Sequence, residues 1–234
     1  MKIDIRGLSE DQIIEFFEKK GFDSYRGRQV YEWIWRKSCY SFDEMTNISK
    51  DLRDVLDNHF VINHIQVDKI QKSFDGTIKN AVKLHDDHTV ESVLIPTDDR
   101  TTACVSSQVG CSLDCRFCAT SKLKRMRNLN PDEIYDQVVT INDQSLKYFN
   151  RPLSNIVYMG MGEPLMNYNN LIKSIEKISS DKGLNMSQKR IVVSTSGIPK
   201  MIKKLADENL KVNLALSLHS AIEETRNKIM PFSK

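Results

Sequence analysis

The stretch Cys111-Ser112-Leu113-Asp114-Cys115-Arg116-Phe117-Cys118 places three cysteines within eight residues, in the spacing C-x3-C-x2-C. A tight loop of that length can turn three thiolates towards one point. Soft thiolates select iron–sulfur clusters, zinc or copper(I). Structural zinc wants four protein ligands, typically as two C-x2-C pairs or with histidines. Here no histidine is nearby, since His88 lies upstream across a predicted strand. Three ligands suit a 4Fe-4S cluster with one iron left open, a variation on four-cysteine ligation. An open iron can bind a substrate or cofactor. The competing reading is three buried thiols packing as small hydrophobes. The polar or flexible flanks Gly110, Asp114 and Arg116 argue against it. So does the crowding of three of the chain's five cysteines into one loop.

Downstream of this loop, apolar strands alternate with helical patterns. Strands are predicted at 102–107, 155–159, 190–194 and 212–218, and helices at 131–145, 169–179 and 199–208. Asn130 caps the first of these helices and Pro131 opens it. Such alternation implies βαβ units and a parallel sheet. The segments Gly160-Met161-Gly162-Glu163-Pro164, Ser194-Thr195-Ser196-Gly197 and Ser217-Leu218-His219 fall at strand C-terminal ends. Folds of this kind place their ligands there.

Upstream, 9–20 reads as a helix with Ser9 as N-cap, Gln12 at the capping-box position and Gly21 as the stop. Further helices are predicted at 26–37 and 50–60, so residues 1–60 form a small helical domain. Arg26, Arg28, Arg36 and Lys37 make its middle basic and aromatic, a surface able to grip RNA phosphates or simply to be solvated. From 65 to 95 the pattern becomes short strands, with turns at Asp75-Gly76 and Asp86-Asp87. We expect a small antiparallel sheet over 61–98 linking the helical domain to a core over 99–234.

The 234 residues allow one domain, or one with a small appendage. The 40% hydrophobic and 28% charged composition is that of a soluble globular protein. No apolar run approaches the ~18 residues of a membrane-spanning helix, and the start Met1-Lys2-Ile3-Asp4 is too polar for a secretory signal. An odd number of cysteines with metal-like spacing points to the reducing cytoplasm rather than to a disulfide framework. The net charge of +3 permits RNA binding without arguing for it.

The cysteine spacing, with Phe117 before the last cysteine, resembles the radical S-adenosylmethionine (SAM) superfamily. Four further segments narrow the resemblance to the RlmN/Cfr family: Thr102-Ala103-Cys104-Val105-Ser106-Ser107-Gln108-Val109-Gly110-Cys111, Arg127-Asn128-Leu129, Gly160-Met161-Gly162-Glu163-Pro164 and Ser217-Leu218-His219. They occur in order, and the resemblance runs from about Tyr25 to the last residue. It implies a partial βα barrel, here about four units, and a methyltransferase acting on an adenine of 23S ribosomal RNA and transfer RNA. Pro164 leans to the branch that modifies carbon-2 rather than carbon-8.

The resemblance further implies that Cys111, Cys115 and Cys118 ligate the 4Fe-4S cluster. Gly162, Glu163, Ser194, Ser217, Leu218 and His219 would contact SAM. Glu91, otherwise an exposed strand position, would be a proton acceptor. Cys104 would resolve a protein–RNA covalent intermediate. One SAM methylates a cysteine near the C-terminus, and a radical from a second SAM takes a hydrogen from that methyl group. The resulting carbon radical adds to adenine, and the adduct is deprotonated and resolved. Implied partners are RNA and a reductant such as flavodoxin or ferredoxin, with a monomeric chain and no membrane.

None of the five cysteines stands where the family carries its methyl group, because the chain stops at Pro231-Phe232-Ser233-Lys234 after the fourth barrel strand. We therefore expect an incomplete chain that cannot finish methylation and that leaves an open sheet edge. Cys39 reads as structural. The tract Lys122-Leu123-Lys124-Arg125-Met126-Arg127 reads as a rim for RNA phosphates; the family commonly has glycine where Ser121 and Lys124 stand. The alternatives are a radical SAM enzyme with another substrate, and a non-enzymatic metal-containing RNA-binding module.

Overall fold

A computed structural model describes residues 2–233. It divides into two units. One holds the residues up to His64 together with Lys177–Asn185; the other holds Ile65–Glu176 together with the residues from Met186 onward.

The first unit contains β1 (Ile3–Asp4), α1 (Glu10–Lys19), α2 (Ser24–Trp35), α3 (Lys50–His59) and β2 (Phe60–Val61), with β1 and β2 paired in parallel. The expected capping box opens α1. Ser9 Oγ accepts from the Gln12 amide at 3.2 Å, and Gln12 Oε1 accepts from the Ser9 amide at 2.8 Å. Ile5, Ile13, Phe17, Val30, Ile34, Trp35, Leu52 and Leu56 fill the interior. Cys39 is buried with them, and burial pushes its thiol up to about 12, which keeps it protonated and inert.

The second unit runs β3 (Gln66–Lys72), β4 (Ile78–Lys83), β5 (Thr89–Pro96), β6 (Thr101–Cys104), β7 (Gln108–Val109), β8 (Arg127–Asn128), α4 (Pro131–Phe149), β9 (Asn155–Tyr158), α5 (Tyr168–Ser179), β10 (Ile191–Thr195), α6 (Pro199–Asp207), β11 (Asn213–Leu216) and α7 (Glu223–Ile229). The last turn of α5 counts with the first unit. Seven strands form one mixed sheet in the order β11-β10-β9-β6-β5-β4-β3. The β6, β9, β10 and β11 pairs are parallel, as the strand–helix alternation predicts. The chain therefore has an α/β fold with four barrel-type parallel strands, matching the expected class.

Strands β3 to β5 are antiparallel, as expected, and they continue the parallel sheet as its extension. The reason lies in β5, which pairs with β4 along its length and with β6 through its last residues, Val93 opposite Cys104 and Pro96 opposite Thr101. Helix α4 then covers both halves. The buried carboxamides of Asn80 on β4 and Gln144 on α4 bond reciprocally at 3.0 and 2.7 Å. A pair that satisfies both donors and acceptors fixes register.

Burial alternates along the sheet. Ala103, Ile156, Ile191 and Val193 are fully buried on the helical face, where Tyr158 bonds Ser174 of α5 at 2.8 Å. Between them Cys104, Val157, Val192 and Ser194 are half-buried on the opposite, open face. Among the described residues, no helix is long and apolar enough to cross a membrane.

Candidate active site

The cysteine loop follows β7 and is held from three sides. The Cys111 amide donates to the Leu123 carbonyl at 3.3 Å. Ser121 Oγ lies 2.6 Å from the Cys115 carbonyl and 2.7 Å from that of Cys118. The Arg116 amide donates to the Ile229 carbonyl at 2.9 Å, and fully buried Met230 packs on Leu113 and Cys115. Ser121 thus pins the loop through its hydroxyl.

All three cysteines line one cavity of about 270 Å³. Burial and then the neighbouring thiols of Cys111 and Cys118 push Cys115 up to about 11, and burial raises Cys111. Three soft donors around one space fit a cluster held at three corners. Among the described residues, no group of three or more His, Cys, Asp or Glu side chains is close enough to cage a single ion.

The Gly160-Met161-Gly162-Glu163 segment lies against the end of β6. A Cβ at Gly160 would stand 2.7 Å from Ser106 Oγ and 2.8 Å from Ser106 N; one at Gly162, where φ is +96°, would stand 2.5 Å from Gln108 Cβ. Both glycines are thus required by the close approach of two chain segments. Ser106 Oγ donates to the Glu91 carbonyl at 2.5 Å and accepts from the Met161 amide at 2.9 Å. Gln108 Oε1 accepts from the Glu163 amide at 2.9 Å, and Gln108 Nε2 donates to Asn128 Oδ1 at 2.8 Å.

Glu163 is only 2% exposed. Its Oε1 accepts from the Leu165 amide at 3.1 Å and its Oε2 from the Ser196 amide at 2.8 Å. Each oxygen keeps a lone pair, so the carboxylate can staple two loops and still accept from an ammonium group.

Ser194 at the end of β10 and Ser217 just after β11 face each other with their Oγ atoms 3.4 Å apart. His219, at φ +58°, packs on Phe117 of the cysteine loop with ring centroids 4.0 Å apart and the planes tilted by 42°. The cavity thereby gathers Cys111, Cys115, Cys118, Gly162, Glu163, Ser194, Ser217 and His219. Leu218 is not among its lining residues and is 47% exposed, though its carbonyl is bonded by Arg226.

Glu91 and Cys104 also stand outside the cavity lining. They share the open face of the sheet, because Cys104 is opposite Val93, two residues from Glu91. Met159 and Ser194, at neighbouring strand ends of that face, do line the cavity. The Glu91 carboxylate pairs with Lys79 Nζ at 2.8 Å. Burial pushes the Cys104 thiol up to about 11, so at neutral pH it rests protonated.

The basic tract is only partly available. Lys122, Lys124 and Arg125 are exposed, but Arg127 is committed. Its guanidinium meets Glu133 at 2.8 and 2.7 Å and Asp86 at 2.5 Å. In the first unit, Lys37 lies 3.7 Å over the Trp33 ring and Arg26 4.6 Å over that of Tyr25. Local pattern assigns no role to Ser106, Gln108 or Arg226: the first two bond through long-range partners, and nothing local marks Arg226.

Residues 105–233 match the radical SAM superfamily, and residues 3–62 match the ribosomal RNA large subunit methyltransferase N-terminal domain. A curated relative from Christiangramia forsetii, named a probable dual-specificity RNA methyltransferase RlmN, is 69% identical over 233 residues, all of this chain and 66% of its own. One of the same name from Flavobacterium johnsoniae is 66% identical, over 100% of this chain and 67% of its own. The chain thus spans about two thirds of these relatives' length. The crystal structure of a radical SAM methyltransferase from Sphaerobacter thermophilus superposes with a TM-score of 0.89 at 36% identity, covering 98% of this chain and 67% of that one.

Proposed function

We propose that this chain, which belongs to the radical SAM superfamily and within it to the RlmN family, carries the cluster- and SAM-binding core of an enzyme that methylates carbon-2 of an adenine in 23S ribosomal RNA and transfer RNA. The observation that carries the reading is the single cavity lined by three cysteines, Gly162, Glu163, Ser194, Ser217 and His219. Cys111, Cys115 and Cys118 would hold the cluster. When bound, a 4Fe-4S cluster supplies an electron and an open iron site for the amino and carboxylate groups of SAM.

The chain's own residues then divide the work. Glu163 accepts from an N–H of the SAM amino group, held rigid by the two amides it already bonds. Ser194 and Ser217 offer hydroxyls to the polar parts of SAM, and Leu218 presents its backbone beside them. The tilted Phe117–His219 pair provides an aromatic edge to the site. Adenine lies on the open face, where Glu91 takes the proton lost from the modified carbon and Cys104 resolves the protein–RNA bond. The Glu91 carboxylate pairs with Lys79, and Cys104 must lose its proton when RNA is in place. RNA phosphates are held by Lys122, Lys124 and Arg125 and by the basic aromatic surface of α2. The reductant is a flavodoxin or ferredoxin, the chain acts as a monomer, and the five free cysteines suit a reducing cytoplasm.

The test is anaerobic reconstitution followed by dithionite and SAM, with mass spectrometry of the products and iron and sulfide measured on the same sample. Formation of 5′-deoxyadenosine by the parent chain, and none by Cys111→Ala, is the expected result. Zinc in place of iron, or an intact cluster that leaves SAM whole, would overturn the reading.

A further inference from the structure

Two of the proposed SAM-lining segments are the loops that follow β10 and β11. Within the strands a parallel ladder holds them together, and the Ser217 amide still donates to the Thr195 carbonyl at 2.9 Å. Past that bond the two loops are linked by a side chain. Arg226 of α7 donates through Nη2 to the Ser196 carbonyl at 2.6 Å and through Nε to the Leu218 carbonyl at 3.2 Å. Arg226 itself does not line the cavity; Ser196, Ser217 and His219 do.

The approach is shaped for this side chain. Gly197, at φ +99°, leaves a gap in which a Cβ would come within 3.3 Å of Arg226 Nη2. The adjoining Ser196 amide is spoken for by Glu163. One residue of the loop is therefore gripped from the cavity side by a carboxylate and from behind by a guanidinium. The far end of α7 is anchored separately. The Met230 amide donates to the Arg226 carbonyl at 2.7 Å, Met230 is buried against Leu113 and Cys115, and the Ile229 carbonyl accepts from Arg116.

We propose that Arg226 is a positioning residue for SAM: from its anchorage on the cysteine loop it fixes the spacing of the Ser196 and Leu218 segments, and so the shape of the SAM site. The proposal rests on the SAM-binding reading of that cavity. A planar guanidinium suits the task because it presents two donors at a fixed angle, whereas an ammonium is a point charge.

The experiment compares the reconstituted full chain with Arg226→Met and Arg226→Lys. Both variants should bind SAM about tenfold more weakly in equilibrium dialysis, as expected for lost charge-assisted bonds. Iron, sulfide and the SAM-free cluster spectrum should stay at parent values, because the Ile229 and Met230 contacts remain. Amide hydrogen exchange should quicken at residues 196–198 and 217–220 together, while β10 and β11 hold their protection. Unchanged exchange at those loops, with SAM affinity within about twofold of the parent, would overturn the proposal. So would loss of iron in step with loss of SAM binding, which would make Arg226 a general support of the fold. If the parent chain binds no SAM, the proposed function fails, and the exchange at the two loops still decides whether Arg226 clamps them.

Discussion

Gly162 shows how far one residue type can be read without its neighbours. A glycine-rich strand end suggests a backbone opened towards a ligand. Gly162 does line the cavity, but its close approach is also to Gln108, whose Cβ lies 2.5 Å from where a Gly162 Cβ would be. With φ at +96°, an alanine there is strained as well as crowded. Gly162→Ala should therefore cost about 3 kcal/mol, summing a modest backbone strain and an overpacking term. Gly7→Ala serves as the comparison, since nothing lies within 4 Å of a Cβ at Gly7; it should fall within about 0.5 kcal/mol of the parent. Urea unfolding of both variants measures the contrast, and equal midpoints would refute the packing account. The same limit explains Glu163. Its presence near the site was legible, but of its two amide partners only Leu165 is local; Ser196, at the end of a later strand, is beyond the reach of local pattern.

The elements were legible where their signals are local. Caps, turn residues and apolar periodicity placed α1 and α4 to β11 close to where they lie. The joining of β5 to β6 had no local signal, because it depends on partners distant in sequence. The Arg127-Asn128-Leu129 segment belongs to the same class. As sequence it adds to a basic tract; in the fold Arg127 ties β8 to the start of α4 through Glu133 and to the β4–β5 turn through Asp86. Hydrogen bonding from Arg127 holds the Asp86 carboxyl well below the usual carboxylate range. A depressed folded value means the stabilisation is complete above the unfolded value of about 4. It drains away as pH falls below that towards the folded value. Asp86→Asn should therefore lower stability by about 1 kcal/mol at pH 7, after discounting for solvent screening. The deficit should narrow between about pH 4 and pH 2. Melting temperatures of parent and variant across that range check the claim; a deficit that stays constant into acid would show that the pair contributes no charge-dependent stability.

At the scale of the whole molecule, the two units are not the two halves of the sequence. A reading in chain order gives a helical domain over 1–60, yet Lys177–Asn185 also belongs to that unit. Some 60 residues alone make a marginal core, and the distant segment adds Ile178, which is fully buried. It also adds Lys177, whose ammonium bonds the Tyr31 hydroxyl and lies 4.6 Å over the Tyr31 ring and 4.7 Å over that of Trp35. A cation held against two largely buried rings is worth about 1–2 kcal/mol. Lys177→Met keeps the length of the side chain and removes the charge. The substitution should weaken the first unit by that amount, so amides of α1 and α2 should exchange about tenfold faster. Amides of β6 and β9, in the second unit, should keep parent rates, because the contact is internal to the first. Exchange that quickened equally in both units would mean that they unfold as one cooperative block. Unchanged exchange in α1 and α2 would mean that the helices of residues 1–64 are held without this contact.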